Sequence, residues 1–156
     1  MSYFTNNRQL IKSLKLNTNT ELSPSYAEMC CASERKLNFD MDSQDFYVFC
    51  DALKRHVTTG ADVSIETTLK LDASNAGIIS VLGDLHTLLA SGGIAQFNNK
   101  MIQFDLLSGI SGSTLTYTTY SATANLIVES LGGAAEDVSE IAVTFKLNGA
   151  ATAASV

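Results

Sequence analysis

The residues able to do chemistry are few and scattered. Cys50 and His56 stand close in the chain, and a thiolate beside an imidazole is a nucleophile with its base. A catalytic pair is defined by geometry, however, and closeness in sequence does not supply it. The only other histidine, His86, falls on an expected helix beside its apolar stripe, where a place at the core edge or an interface accounts for it. Cys30 and Cys31 are adjacent, so they lack the C-x-x-C spacing of a zinc knuckle, and no paired histidines accompany them. Asp40, Asp42 and Asp45 resemble the start of an oxygen-ligand loop but lack its glycine turn and closing Glu, and read as a solvated acidic turn. Gly92 and Gly93, and Gly109 and Gly112, have no following Lys-Ser/Thr to cradle a phosphate, and Gly132 with Gly133 reads as a turn. The residues therefore assign no catalytic, cofactor-binding or metal-binding site.

The elements that would have to position such residues are mostly strands. Val63, Ile65, Thr67, Leu69 and Leu71 alternate with polar neighbours, and so do Ile141, Val143, Phe145 and Leu147. Shorter runs at Leu37, Phe39 and Met41, and at Ile102, Phe104 and Leu106, read alike. Residues 113–129 are rich in Thr, Tyr and Val, all strand formers, but their apolar phase shifts from odd positions (Leu115, Tyr117) to even ones (Tyr120 to Val128). A bulge or bend near Thr118 and Thr119 would reconcile the two halves. One helix is expected over residues 75–91, with Ile78, Val81, Leu82, Leu85, Leu88 and Leu89 on one face. Asp72 or Ser74 would cap its start, and Gly92 and Gly93 would end it. Between residues 42 and 62, Phe46, Phe49, Leu53 and Val57 fall near helical spacing with Asp42 as a cap, so a short helix or a long loop carrying exposed aromatics is expected.

Composition narrows the classes. At 156 residues the chain is most simply one domain, and 46% hydrophobic with 17% charged residues suits a folded globule. A net charge of −6 disfavours tight binding to phosphate backbones. Three cysteines leave at least one thiol unpaired, as expected of a chain folding in a reducing cytoplasm. Residues 1–16 lack the apolar stretch of a signal peptide, and residues 78–95 are interrupted by Asp84 and His86, so no membrane span is expected. The expected organisation is a single β-rich domain over 1–149, with an N-terminal arm at 1–28 and a flexible tail at 150–156.

The order of these elements resembles the tail tube protein family (the major tail proteins) of tailed phages and related injection machines. The C-terminal run YSATANLIVESLGGAAEDVSEIAVTFKLNGAA, residues 120–151, is similar to that family's ending. Upstream, GADVSIETTLKLDASNAGIISVL, residues 60–82, resembles its middle strand and single helix. The resemblance implies a mainly β (α+β) fold, a β-sandwich or small barrel flanked by one α-helix. It implies a structural virion protein and no enzyme. Stacked, hexameric rings would form a hollow tube through which double-stranded DNA passes without specific binding. Partners would be further copies, a tape measure protein, a tail terminator and baseplate or tip proteins, after assembly in the host bacterial cytoplasm. Residues 42–62 would reach the adjoining ring. A tail terminator or neck protein is the near alternative, and a small cysteine-dependent enzyme the distant one.

Overall fold

A computed structural model describes residues 10–29, 32–48, 52–72 and 74–153, the side chains of 32–34 excepted. Cys30, Cys31, Phe49 and Cys50 lie outside the described residues. The described residues form eight strands, β1 (Ile11–Asn17), β2 (Tyr26–Glu28), β3 (Ala32–Tyr47), β4 (Lys54–Lys70), β5 (Lys100–Ser111), β6 (Thr114–Gly132), β7 (Glu140–Leu147) and β8 (Thr152–Ala153). One helix, α1 (Ala76–Ser91), and a short 3-10 helix (Ala95–Phe97) join β4 to β5.

All pairings are antiparallel, in the order β2-β1-β5-β6-β7-β4-β3, with β8 added to β6. β6 carries the sheet from one half to the other: residues 114–124 pair with β5, and residues 124–132 with β7. The alternating faces of both halves then meet in one core. Ile11, Leu14 and Leu16 of β1 and Ile102 of β5 share it with Ile65 and Leu69 of β4 and Ile141, Val143 and Phe145 of β7. This is the mainly β, single-helix architecture that the alternations imply.

Arg35 closes the curled sheet. It sits on β3, at the far end of the strand order from β1, and is only 6% exposed. Its Nη1 donates to the carbonyls of Lys12 (3.0 Å) and Ile11 (3.4 Å). Its Nη2 donates to Glu28 Oε1 at 3.2 Å and to the Met29 carbonyl at 3.4 Å. A planar, five-donor guanidinium is the side chain best able to bond several acceptors held on separate elements.

Several expectations are corrected. Residues 11–17, assigned to an N-terminal arm, are a strand inside the sheet, because a bulge between Ile11 and Ser13 lets Ile11, Leu14 and Leu16 all face the core. Residues 152 and 153 of the expected tail pair with Ser121 and Tyr120. The phase change along β6 needs no bulge at Thr118 and Thr119; the extra residue is Ser108 on the partner strand, where the register steps from Leu107↔Tyr117 to Gly109↔Thr116. Tyr120, Ala124 and Leu126 face the core, while Leu115 and Tyr117 lie on the other face, with Lys12 Nζ 5.4 Å from the Tyr117 ring centre. The sharp turn before β6 is Gly112–Ser113, with Gly112 at φ 62°, as a two-residue hairpin turn demands of its first residue.

The helix spans the expected residues but is capped one position later than expected. Asn75, not Asp72 or Ser74, accepts from Ile78 N (3.1 Å), while its amide donates to the Glu28 carbonyl (2.7 Å) and ties the helix start to β2. Asp72 instead accepts from the amide and hydroxyl of Ser74, which hold its carboxyl below the usual range. Gly92, at φ 73°, ends the helix, its N–H donating to the Leu88 carbonyl. Only the first half of the apolar stripe is fully covered: Ile78 and Val81 are buried, Leu82, Leu85 and Leu88 half-buried, and Leu89 is 82% exposed.

Candidate functional site

Among the described residues, the outer half of the β3–β4 hairpin extends past every neighbouring strand. β7 covers β4 only from Ser64 to Lys70, whereas β3 and β4 pair with each other as far as Tyr47↔Lys54. Residues 39–47 of β3 and 54–62 of β4 thus form a two-stranded ribbon, about 30 Å long at ~3.4 Å per residue, exposed throughout. The expected short helix or long loop at 42–62 is overturned. The helical spacing of Phe46 and Val57 arises because the chain folds back, which sets Phe46↔Arg55 beside Gln44↔Val57 on one face.

The ribbon's two faces differ along its length. Near the sheet, Phe39 and Met41 continue the core-facing row of Leu37 past the last strand able to cover them, and they are 56% and 60% exposed. The opposite face there is acidic: Asp40 stands directly across from Asp62, with Asp42 in the next pair on that face. Like charges in direct register destabilise a ladder. Between Asp42↔Gly60 and Ser43↔Thr58 the register slips by Thr59, whose hydroxyl donates to the Asp42 carbonyl at 3.3 Å. A bulge of this kind reverses which face the following residues of its strand occupy. Beyond it the face continuous with the acids carries Phe46 and Val57 beside Gln44 and Arg55. The other face becomes polar, with Asp45 opposite His56 and Tyr47 opposite Lys54.

Asp45 gathers the charges of that polar face. His56 Nδ1 contacts Asp45 Oδ1, and Lys54 Nζ lies 3.4 Å from Oδ2. The bond to His56, with smaller help from Lys54 and from the charge of His56, holds the Asp45 carboxyl below its usual range against a desolvation effect that opposes it. A depressed carboxylate stabilises the fold above the ordinary aspartate range, and that contribution fades as pH falls through the depressed value. Cross-strand NMR contacts between residues 45 and 56 are therefore expected to weaken as pH falls below the ordinary aspartate range, and to be weaker in Asp45→Asn at neutral pH. Contacts in that variant equal to those of the unaltered chain would contradict the assignment.

The residues singled out for chemistry are dispersed. His56 is engaged by Asp45, and its proposed partner Cys50 lies outside the described residues. His86 is on the solvent side of α1. Asp40, Asp42 and Asp45 are on a strand, not in a turn, and Asp45 points to the opposite face from the other two. Among the described residues no group of three or more His, Cys, Asp or Glu side chains could hold a metal ion, and no helix is long and apolar enough to cross a membrane.

Two hollows near the base of the ribbon are the second feature. One, ≈ 370 Å³, lies among Asp40, Asp62, Val63 and Leu147. The other, ≈ 410 Å³, lies between the last turn of α1 and β6, walled by Leu88, Ile94, Phe97 and Ile127. Asn125 and Lys146 border both. Asn125 Oδ1 accepts from Asn99 N (3.1 Å) and from Asn148 Nδ2 (2.9 Å). Sequence reasoning missed both hollows, although the surplus apolar positions at the end of the helix stripe were a signal of the second.

No protein-family model and no curated protein sequence matches the chain. Solved structures do. The SPP1 tail tube aligns over 90% of this chain and 74% of its own, with a TM-score of 0.60 and 13% identity. The tail of the gene transfer agent (GTA) particle, refined with C6 symmetry, aligns over 97% of this chain and 100% of its own, at 0.58 and 10%. The sheath–tube complex of an extracellular contractile injection system, PVC, aligns over 99% and 100%, at 0.51 and 12%. Strand order, the single helix and these three likenesses agree: the chain has the fold of phage-type tail tube proteins.

Proposed function

We propose that the chain is a structural virion protein, a tail tube subunit that stacks in rings to form a hollow tube for DNA passage into the host. The observation that carries this reading is the two-sided ribbon. An isolated two-stranded ribbon is marginal in water, and among the described residues its apolar side chains have no cover. A fold shared with tube subunits gives that cover a source, further copies of the same chain. Head-to-tail contacts of this kind close into rings or continue as filaments. Six copies per ring is the number that the C6 symmetry of the gene transfer agent tail supports.

The net charge of −6 suits a wall that double-stranded DNA passes without sticking, since the polyanion is repelled at the surface and no basic patch holds it. On this reading the chain has no catalytic role. It meets a tape measure protein, a terminator and baseplate components at the ends of the tube, and it assembles in the host bacterial cytoplasm before entering the virion tail.

Replacing residues 42–62 by a short Gly/Ser linker should leave a folded protein that no longer elongates. Negative-stain microscopy of the concentrated unaltered protein should show hollow fibres, and of the variant only monomers or single rings. Fibres of ordinary length from the variant would show that the ribbon does not stack the rings. Single rings from the unaltered protein under every condition would favour a tail terminator.

A further inference from the structure

Asn148 and Gly149 form the only Asn-Gly pair in the chain. In such a pair the main chain readily attacks the asparagine amide, because glycine places no side chain beside its own nitrogen. Both residues are exposed just past β7, and Gly149 holds the left-handed conformation (φ 80°) that favours glycine. The pair is thus open to water. Its side-chain amide is nevertheless held. Asn148 Nδ2 donates to Asn125 Oδ1 at 2.9 Å and to Asn99 Oδ1 at 3.3 Å. Asn125 Oδ1 accepts from Asn99 N as well, at 3.1 Å, so three asparagines tie the end of β7 to the start of β5 across β6. The Asn148 N–H donates to the Thr123 carbonyl at 2.8 Å, which fixes the main chain on one side of the pair.

We infer that Asn148 is a deamidation site restrained by Asn125, whose hydrogen bond opposes the side-chain rotation that brings Asn148 Cγ to Gly149 N. The chemistry needs only water. The Gly149 nitrogen bonds to Asn148 Cγ, the Cγ–Nδ2 bond breaks, and the proton that nitrogen gives up leaves with the amide group as ammonia. Water then opens the resulting succinimide at either carbonyl, giving aspartate or isoaspartate at position 148, with no change of oxidation state. Either product sets a carboxylate oxygen against Asn125 Oδ1 and Asn99 Oδ1, two acceptors, so the restraint cannot re-form. Each event also adds a negative charge to a chain already at −6. Isoaspartate lengthens the main chain between the Thr123 bond and β8, where Thr152 pairs with Ser121, and so loosens that short strand. The site belongs to the subunit and stands whether or not rings form.

Peptide mass mapping of the dilute full chain, incubated warm at neutral and mildly alkaline pH, tests it. Asn125→Ala removes the acceptor and should convert Asn148 about two- to tenfold faster than in the unaltered chain, the factor of one lost hydrogen bond. Both rates should rise with pH, because the attacking nitrogen must lose its proton, and they should become equal in urea, where nothing holds the amide. Equal rates in the two folded chains, with unchanged circular dichroism, would overturn the restraint. So would a rate in the folded unaltered chain as fast as its rate in urea, a comparison that stands even if Asn125→Ala does not fold. Conversion of another asparagine ahead of Asn148 in folded Asn125→Ala would overturn the site itself.

Discussion

Arg35→Met is expected to cost the folded subunit about 2–4 kcal/mol, because Met fills much of the same space but donates no hydrogen bond. The carbonyls of Ile11, Lys12 and Met29 would lose the donors that Arg35 supplies, and Glu28 would lose its cation. The ion pair itself contributes less than the backbone bonds. The Glu28 side chain is 40% exposed, so water screens it, and Glu28→Gln is expected to cost about 1 kcal/mol or less. Urea unfolding of the two variants separates these effects. Equal losses would mean that the ion pair, not the bonding of β1 to β3, is what Arg35 provides. Arg35 was not singled out in the sequence, because a cation in a strand flanked by Glu34 and Lys36 reads as one more surface charge.

Phe145→Ala is expected to have the largest effect on the isolated subunit, about 3–5 kcal/mol. The ring is fully buried between the two halves of the sheet, with Ile65 opposite it on β4 and Leu126 opposite it on β6. Its removal takes away contacts from both sides and leaves a cavity that paired strands cannot collapse to fill. Phe39→Ala is the informative comparison. That residue has the same side chain on the same kind of alternating strand, but it stands past the end of β7 and is exposed. Its replacement should move subunit stability by about 0.5 kcal/mol or less, and should weaken assembly instead. Thermal unfolding of dilute subunits beside fibre yield measures both, and a large loss of subunit stability in Phe39→Ala would contradict the exposed position assigned to the ribbon base.

That comparison shows where sequence reading succeeds and stops. Alternation identifies a strand and its inward face, and it did so for β4, β5 and β7, whose Ile65, Ile102, Val143 and Phe145 are buried as their spacing implies. The same rule put Phe39 and Met41 on the correct face, but whether a face is covered depends on how far the neighbouring strand runs. The helix was legible for a related reason: Ile78, Val81, Leu82 and Leu85 recur at its period and Gly92 ends it. Whether the last turn of its stripe, Leu88 and Leu89, would be covered depended on how the sheet packs against the helix, and Leu89 is left exposed. The ribbon was misread because a hairpin returns residues to one face at intervals set by its register, and Phe46 with Val57 happens to imitate a helix.

By itself, then, the sequence determined the strand-rich class, the single helix, most of the core and the scarcity of reactive groups. These are local properties, set by periodicity and residue type within short windows. Tertiary structure alone decided which apolar residues lack a cover, how Arg35 joins strands at opposite ends of the order, and that Asp40 and Asp62 stand face to face. Each depends on pairing between residues distant in the chain. One residue of slip at Thr59 exchanges the faces of the ribbon, and no window of sequence records where a partner strand will place that slip.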